Sequence, residues 1–145
     1  METVTLWRPT GPRELALVEA SGWRAWPPRL ADQPIFYPVL NEEYATMIAR
    51  QWNTKDPSSG NVGYVLRFRV QTEAIEKYPV QTVGGSVCQE LWVPAEELES
   101  FNDAIVGEIE VIAVGLAAGW RAVADIHHDR WRAQVVLGFA QADNA

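Results

Sequence analysis

The sequence predicts a compact α+β fold, with helices packed against a small, mostly antiparallel sheet. Three observations carry this. Short alternating, β-branched runs outnumber the long helical patterns. The strands do not alternate regularly with long helices, as a doubly wound parallel sheet requires. The length of 145 residues, 48% hydrophobic and 21% charged, suits one domain with a real core.

Along the chain, "TVTLWR" (3–8) alternates and reads as a strand. "GPRELALVEASG" (11–22) reads as a helix, with Pro12 at its first position and Gly22 as its stop. "WRAWPPRLADQP" (23–34) is irregular, and "IFYPV" (35–39) is a short extended piece that Pro38 confines to an edge or an end. "NEEYATMIARQW" (41–52) is the clearest helix. Asn41 is its expected cap, Glu42 and Glu43 suit the positive end of the helix dipole, and Tyr44, Met47, Ile48 and Trp52 share a face. "NTKDPSSGN" (53–61) has loop composition. "VGYVLRFRV" (62–70) is a strand with Tyr64, Leu66, Phe68 and Val70 on one face and Arg67 and Arg69 on the other. "TEAIEKY" (72–78) reads as a helical turn capped by Thr72. "SVCQELWV" (86–93) reads as a strand, "PAEELESFND" (94–103) as a short helix and "GEIEVIAV" (107–114) as a further strand. Residues 1–113 form the expected domain. Residues 114–145, Ala-rich with scattered Trp and Arg, read as an extension, with a helix expected near 116–126 and a strand near 133–140.

Composition narrows the function. A net charge of −7 argues against non-specific binding to nucleic acid, whose phosphates call for Lys and Arg. The first 30 residues run against that trend, with Arg8, Arg13, Arg24 and Arg29. Cys88 is the single cysteine, so no internal disulfide is expected, and a reducing cytoplasmic setting fits. No apolar run approaches membrane-spanning length and no signal-peptide pattern opens the chain, so no membrane partner is expected. One Cys and an adjacent His127–His128 pair make no closed zinc pattern, and no metal is expected. Glycine-rich phosphate-binding and dinucleotide fingerprints are absent. Seven tryptophans are many, and rings whose N–H groups need partners suit a pocket or an interface.

Three positions carry possible chemistry. Arg8 ends the first strand on the face of Val4 and Leu6, where it either looks into a cleft or snorkels to solvent. Tyr37, in "PIFYPV", is either packing or a stacking platform beside a helix N-terminus. Glu90 shares a face with Cys88 and Trp92, opposite Leu91 and Val93. It is either an ordinary exposed acid or a partly buried one.

The segments "LWRP", "GPRELALVEASGWRAWPPRL", "QPIFYPVLNEEYATMIARQW" and "YPVQTVGG…QELWVPAEELESFNDAIVGEIEVIA" together resemble a family of small bacterial proteins labelled ADP-ribosylation/crystallin-type, over roughly residues 3–113. The layout also resembles the ADP-ribosyltransferase fold, a split α+β sandwich that binds NAD in a cleft between two small sheets. Its signature is an Arg or His on the first strand, a Ser or Tyr before a helix and a Glu on a late strand. Arg8, Tyr37 and Glu90 fill these places in order. The resemblance implies NAD as the nucleotide substrate, for ADP-ribosyl transfer to a protein or nucleic-acid acceptor or for glycohydrolysis. It implies Arg8 on a phosphate or ribose, Tyr37 stacked on nicotinamide, Tyr44 counted with them among the NAD contacts, and Glu90 as the catalytic acid that stabilises the oxocarbenium-like state. Arginine-modifying members carry a second Glu two residues before the catalytic one. Cys88 stands there instead, which argues against arginine as acceptor. The alternative is a non-catalytic module of the same fold, in which the Trp- and Arg-rich "GWRAWPPRL" holds a nucleotide-like ligand or a protein.

Overall fold

The structure is a computed structural model that describes residues 1–116 and 119–122. In chain order its strands and helices are β1 (Thr3–Thr10), α1 (Pro12–Ala20), β2 (Ile35–Phe36), α2 (Glu42–Gln51), β3 (Val62–Gln71), α3 (Thr72–Ile75), β4 (Gln81–Thr82), β5 (Gln89–Glu90), β6 (Val93–Pro94), α4 (Leu98–Asp103), β7 (Ile105–Leu116) and β8 (Gly119–Ala122). The main sheet runs in the order β1-β3-β7-β8 with every pairing antiparallel, and β2-β6 and β4-β5 form two short two-stranded ribbons. The molecule is thus mixed α+β with small antiparallel sheets, as its sequence predicts. Among the described residues no helix is long and apolar enough to cross a membrane.

The central strand β3 is covered on both sides because its side chains alternate. Tyr64, Leu66, Phe68 and Val70 face the larger core, as expected, with Leu6 of β1 and Leu15 and Val18 of α1. Val65 faces the opposite way, into a smaller core with Ala113, Val39 and Tyr44, Ala45 and Ala49 of α2. Two register shifts in the β3–β7 pairing adapt β7 to this double duty. At the first, Val65 pairs with Ala113 and Leu66 with Val111, so β7 contributes one extra residue. That bulge lets Val111 and Ala113, which alternation would put on one face, enter opposite cores. Near the second shift Gly107 adopts φ +77°, a conformation that favours glycine.

In the larger core Trp26 packs against Phe36 and Phe68 with ring centroids 5.4 and 5.1 Å away, and Phe101 closes the group against both phenylalanines. The irregular 23–34 segment is fixed there by Asn102. Its side chain accepts from the Trp26 N–H and donates to the Trp26 carbonyl, both at 2.9 Å, imitating a strand pair.

Helix α2 begins as predicted. The Asn41 side chain accepts from the Tyr44 N–H at 2.7 Å, and Glu42 and Glu43 occupy the first turn. Its buried face is shifted from the expected one, to Tyr44, Ala45 and Ala49, with Met47 and Ile48 half-buried. Trp52 lies past the last helical residue and is 71% exposed. Small alanines are the buried residues because the helix lies very close to β3. A Cβ added to Gly63 would stand 2.8 Å from the Ala49 carbonyl oxygen.

Other expectations need correcting. The 86–93 segment is not one strand but two residue pairs, β5 and β6, in different ribbons. The chain it must pair with contains Pro38, which has no N–H to give and so cannot sustain a ladder. Residues 72–78 form only the single turn α3, and Gln71, not Thr72, holds its cap position. Residues 119–122 are strand rather than helix, because β8 folds back on β7 from the Leu116–Gly119 pair. The rest of the expected 116–126 helix, the 133–140 strand and His127–His128 lie outside the described residues.

The close approach of α2 to β3 gives a direct test. Gly63→Ala is expected to destabilise the fold by about 1–3 kcal/mol through overpacking. It should lower the urea midpoint at unchanged m-value. An unchanged midpoint would show that the helix yields freely there.

Candidate functional site

Three stretches far apart in sequence lie side by side. Trp7 and Val39 exchange backbone hydrogen bonds at 3.0 and 2.8 Å, and Val39 forms a second bridge with Glu90. Leu40 N–H donates to the Gln89 carbonyl at 3.0 Å and Leu91 N–H to the Pro38 carbonyl at 2.9 Å. This seam brings the neighbourhoods of Arg8, Tyr37 and Glu90 together.

Glu90 is half-buried, and both of its carboxylate oxygens have donors. The Tyr44 hydroxyl donates to Oε2 at 3.1 Å and the Trp92 indole N–H to Oε1 at 2.8 Å. Burial, with the Glu90 charge and hydrogen bond behind it, pushes the Tyr44 hydroxyl up to about 12. Tyr44 therefore stays protonated, and a donor, throughout the neutral range. The Trp92 ring meets Tyr37 edge-on, with centroids 6.4 Å apart and planes at 85°. Tyr37 and Trp92 are 39% and 45% exposed. Leu91 and Val93 are buried on the opposite side, so alternation placed Glu90 on the right face. Cys88 is half-buried against the smaller core.

Arg8 lies one step along the seam. It sits on the face of Leu6, as alternation predicts, but it neither snorkels out nor stands open. Its Nε and Nη2 donate to the two oxygens of Glu14 at 3.0 and 2.9 Å. Its Nη1 donates to the Tyr37 carbonyl at 3.3 Å. Thr10 donates its hydroxyl to Glu14 at 2.7 Å, and Arg29 adds a third cationic contact at 3.2 Å. Both guanidiniums also lie over the Phe36 ring, at 4.8 and 5.8 Å from its centroid. Burial pushes the Glu14 carboxyl up. The Arg8 guanidinium and the Arg8 and Thr10 hydrogen bonds, with Arg29, outweigh this and hold it below its ordinary value.

Tyr37, Trp92 and Glu90 therefore form one contiguous surface backed by the buried Tyr44, and Arg8 adjoins it through the Tyr37 backbone. Glu14, Thr10 and Trp92 were missing from the sequence-derived set. Glu14 had a legible signal, an acid in the first turn of α1 six residues after Arg8. The partnership of Trp92 with Glu90 had none beyond their shared face. No group of three or more acidic, Cys or His side chains among the described residues is arranged to hold a metal ion. The chain matches no protein-family model, no curated protein and no solved structure.

Removing the carboxylate of Glu14 leaves two largely buried guanidiniums without their anion. Glu14→Gln is expected to destabilise the protein by about 3 kcal/mol or more at pH 7. Because the folded-state value is depressed, this contribution is present above the unfolded value near 4.5 and disappears as pH falls through the lower folded value. Urea unfolding at pH 7 and pH 3 should therefore show the wild-type advantage narrowing in acid. A gap that widens in acid contradicts this assignment.

Proposed function

We propose that the protein acts on NAD at Glu90, by ADP-ribosyl transfer to an acceptor or by hydrolysis. One observation supports this above the others: a carboxylate oriented by two donors borders two exposed, adjoining aromatic rings. Such rings suit a planar nicotinamide, and a fixed carboxylate suits the ribose next to it.

In this reading the bond between ribose C1′ and the nicotinamide nitrogen breaks, and nicotinamide leaves with the bonding pair. Positive charge builds on the ribose, where the Glu90 carboxylate stabilises it and accepts from a ribose hydroxyl. Water or an acceptor group then attacks C1′ and loses its proton. Tyr44 and Trp92 hold the carboxylate in place, so it needs no reorganisation as charge develops. Arg8 has two of its donor nitrogens on Glu14, so its part here is to position the Tyr37 backbone through the Tyr37 carbonyl.

Nicotinamide release from NAD, with calorimetric titration of NAD in parallel, tests this. Glu90→Gln is expected to reduce release by about a hundredfold or more while NAD still binds. Tyr44→Phe should lower kcat by a smaller factor with little change in KM. Wild-type protein that releases no nicotinamide and gives no heat with NAD would falsify the proposal.

A further inference from the structure

Away from Glu90, a groove of about 370 Å³ opens between α1 and the 27–33 segment. Its lining includes Pro12, Arg13, Glu14, Leu17, Arg29 and Leu30. Charge is unbalanced here. The single carboxylate of Glu14 already answers both Arg8 and Arg29, whose side chains are 13% and 8% exposed. Exposed Arg13 adds a third guanidinium at the rim. Of these, Arg13 and Arg29 line the groove with Glu14, two guanidiniums against one carboxylate, in a chain whose net charge is −7.

The neutral acceptors do not remove that excess. Arg29 directs Nε to the Ile35 carbonyl at 3.2 Å, and its Nη2 reaches Gln33 only at 3.5 Å, the limit for a hydrogen bond. That edge of the fork retains donor capacity. Burial, followed by the adjacent Arg8 charge, pulls Arg29 down from its ordinary value. Gly11 caps α1 without a side chain, so the first-turn N–H groups bordering the groove have no side-chain acceptor.

We infer that this groove is an anion site for a phosphate-bearing ligand, held by Arg13 and Arg29. The positive lining favours an anion, and exposed Arg13 can turn its planar fork to paired phosphate oxygens, with Arg29 adding a donor from Nη2. Leu17 and Leu30, 51% and 60% exposed, give the ligand's uncharged part an apolar shelf. The site does not depend on the activity proposed at Glu90.

Calorimetric titration of the full chain with inorganic pyrophosphate tests it. Saturable one-to-one binding is expected, weakened at least tenfold by Arg13→Glu, an exposed change that spares the buried network. Arg24→Glu reverses an exposed charge of the 23–34 stretch outside the groove and should leave binding within twofold. Arg29→Gln should abolish binding, with circular dichroism to show that it remains folded. Displacement of pyrophosphate by NAD would assign the phosphates to a dinucleotide. Pyrophosphate binding without displacement would assign them to a smaller phosphate, and either result upholds the anion site. Glu90→Gln should bind pyrophosphate normally, which separates this site from the proposed catalysis. Absence of saturable binding, or equal weakening by Arg13→Glu and Arg24→Glu, overturns the inference.

Discussion

The architecture around the site depends on the double backbone bridge at Val39. This residue pairs with Trp7 on one side and Glu90 on the other, so it stitches the first strand to two segments that arrive 32 and 83 residues later. Neither of these two later segments is a long strand. The segment before Val39 carries Pro38, and the segment around Glu90 contributes only two-residue pairings. Short ladders of this kind are weak alone. They hold here because the residues between the bridges are anchored in opposite directions: Phe36, Leu91 and Val93 in the larger core, Val39 in the smaller. The seam is thus held by burial on both sides, with its hydrogen bonds setting the register.

Electrostatics then reinforces what packing has assembled. A buried ion pair is seldom a large net source of stability, because desolvation offsets much of the attraction. Glu14 lessens the desolvation penalty by taking contacts from Arg8, Thr10 and Arg29 together. The guanidiniums gain a second stabilising surface in the Phe36 ring, itself packed against Trp26 and Phe101. Strand β1, helix α1 and the 27–33 segment are therefore fastened at one point.

Elements with a strong internal period were legible in the sequence. The Asn41 cap, the α2 helix and the β3 alternation all follow from local residue order, and so does the side of Glu90 opposite Leu91 and Val93. The misreadings share a different cause. "SVCQELWV" has strand composition, yet a strand exists only where a partner supplies donors and acceptors, and that partner is set by residues 35–40. "GWRA" has helix-compatible composition but lies against the edge of β7. Trp52 fits the helical period, yet α2 ends one residue before it. Arg8 and Glu14 show the same limit: their positions were readable, and their pairing required the return of the chain through α1.

The orientation of Glu90 also reaches into the sheet's second face. Tyr44 is nearly fully buried in the smaller core, and only its hydroxyl extends to the carboxylate. The first turn of α2, which carries Tyr44, is set by Asn41, whose side chain both caps the helix and donates to the Val87 carbonyl at 2.7 Å. One asparagine thus ties the start of α2 to the segment that leads into Glu90, while Tyr44 closes the loop from the other end. A carboxylate held this way does not turn freely, because moving it means disturbing either a helix cap or the contact of α2 with β3. That contact is close because Gly63 has no side chain. A glycine on the central strand and a carboxylate on a peripheral ribbon are linked through one short helix, which makes the packing of α2 a determinant of where Glu90 points.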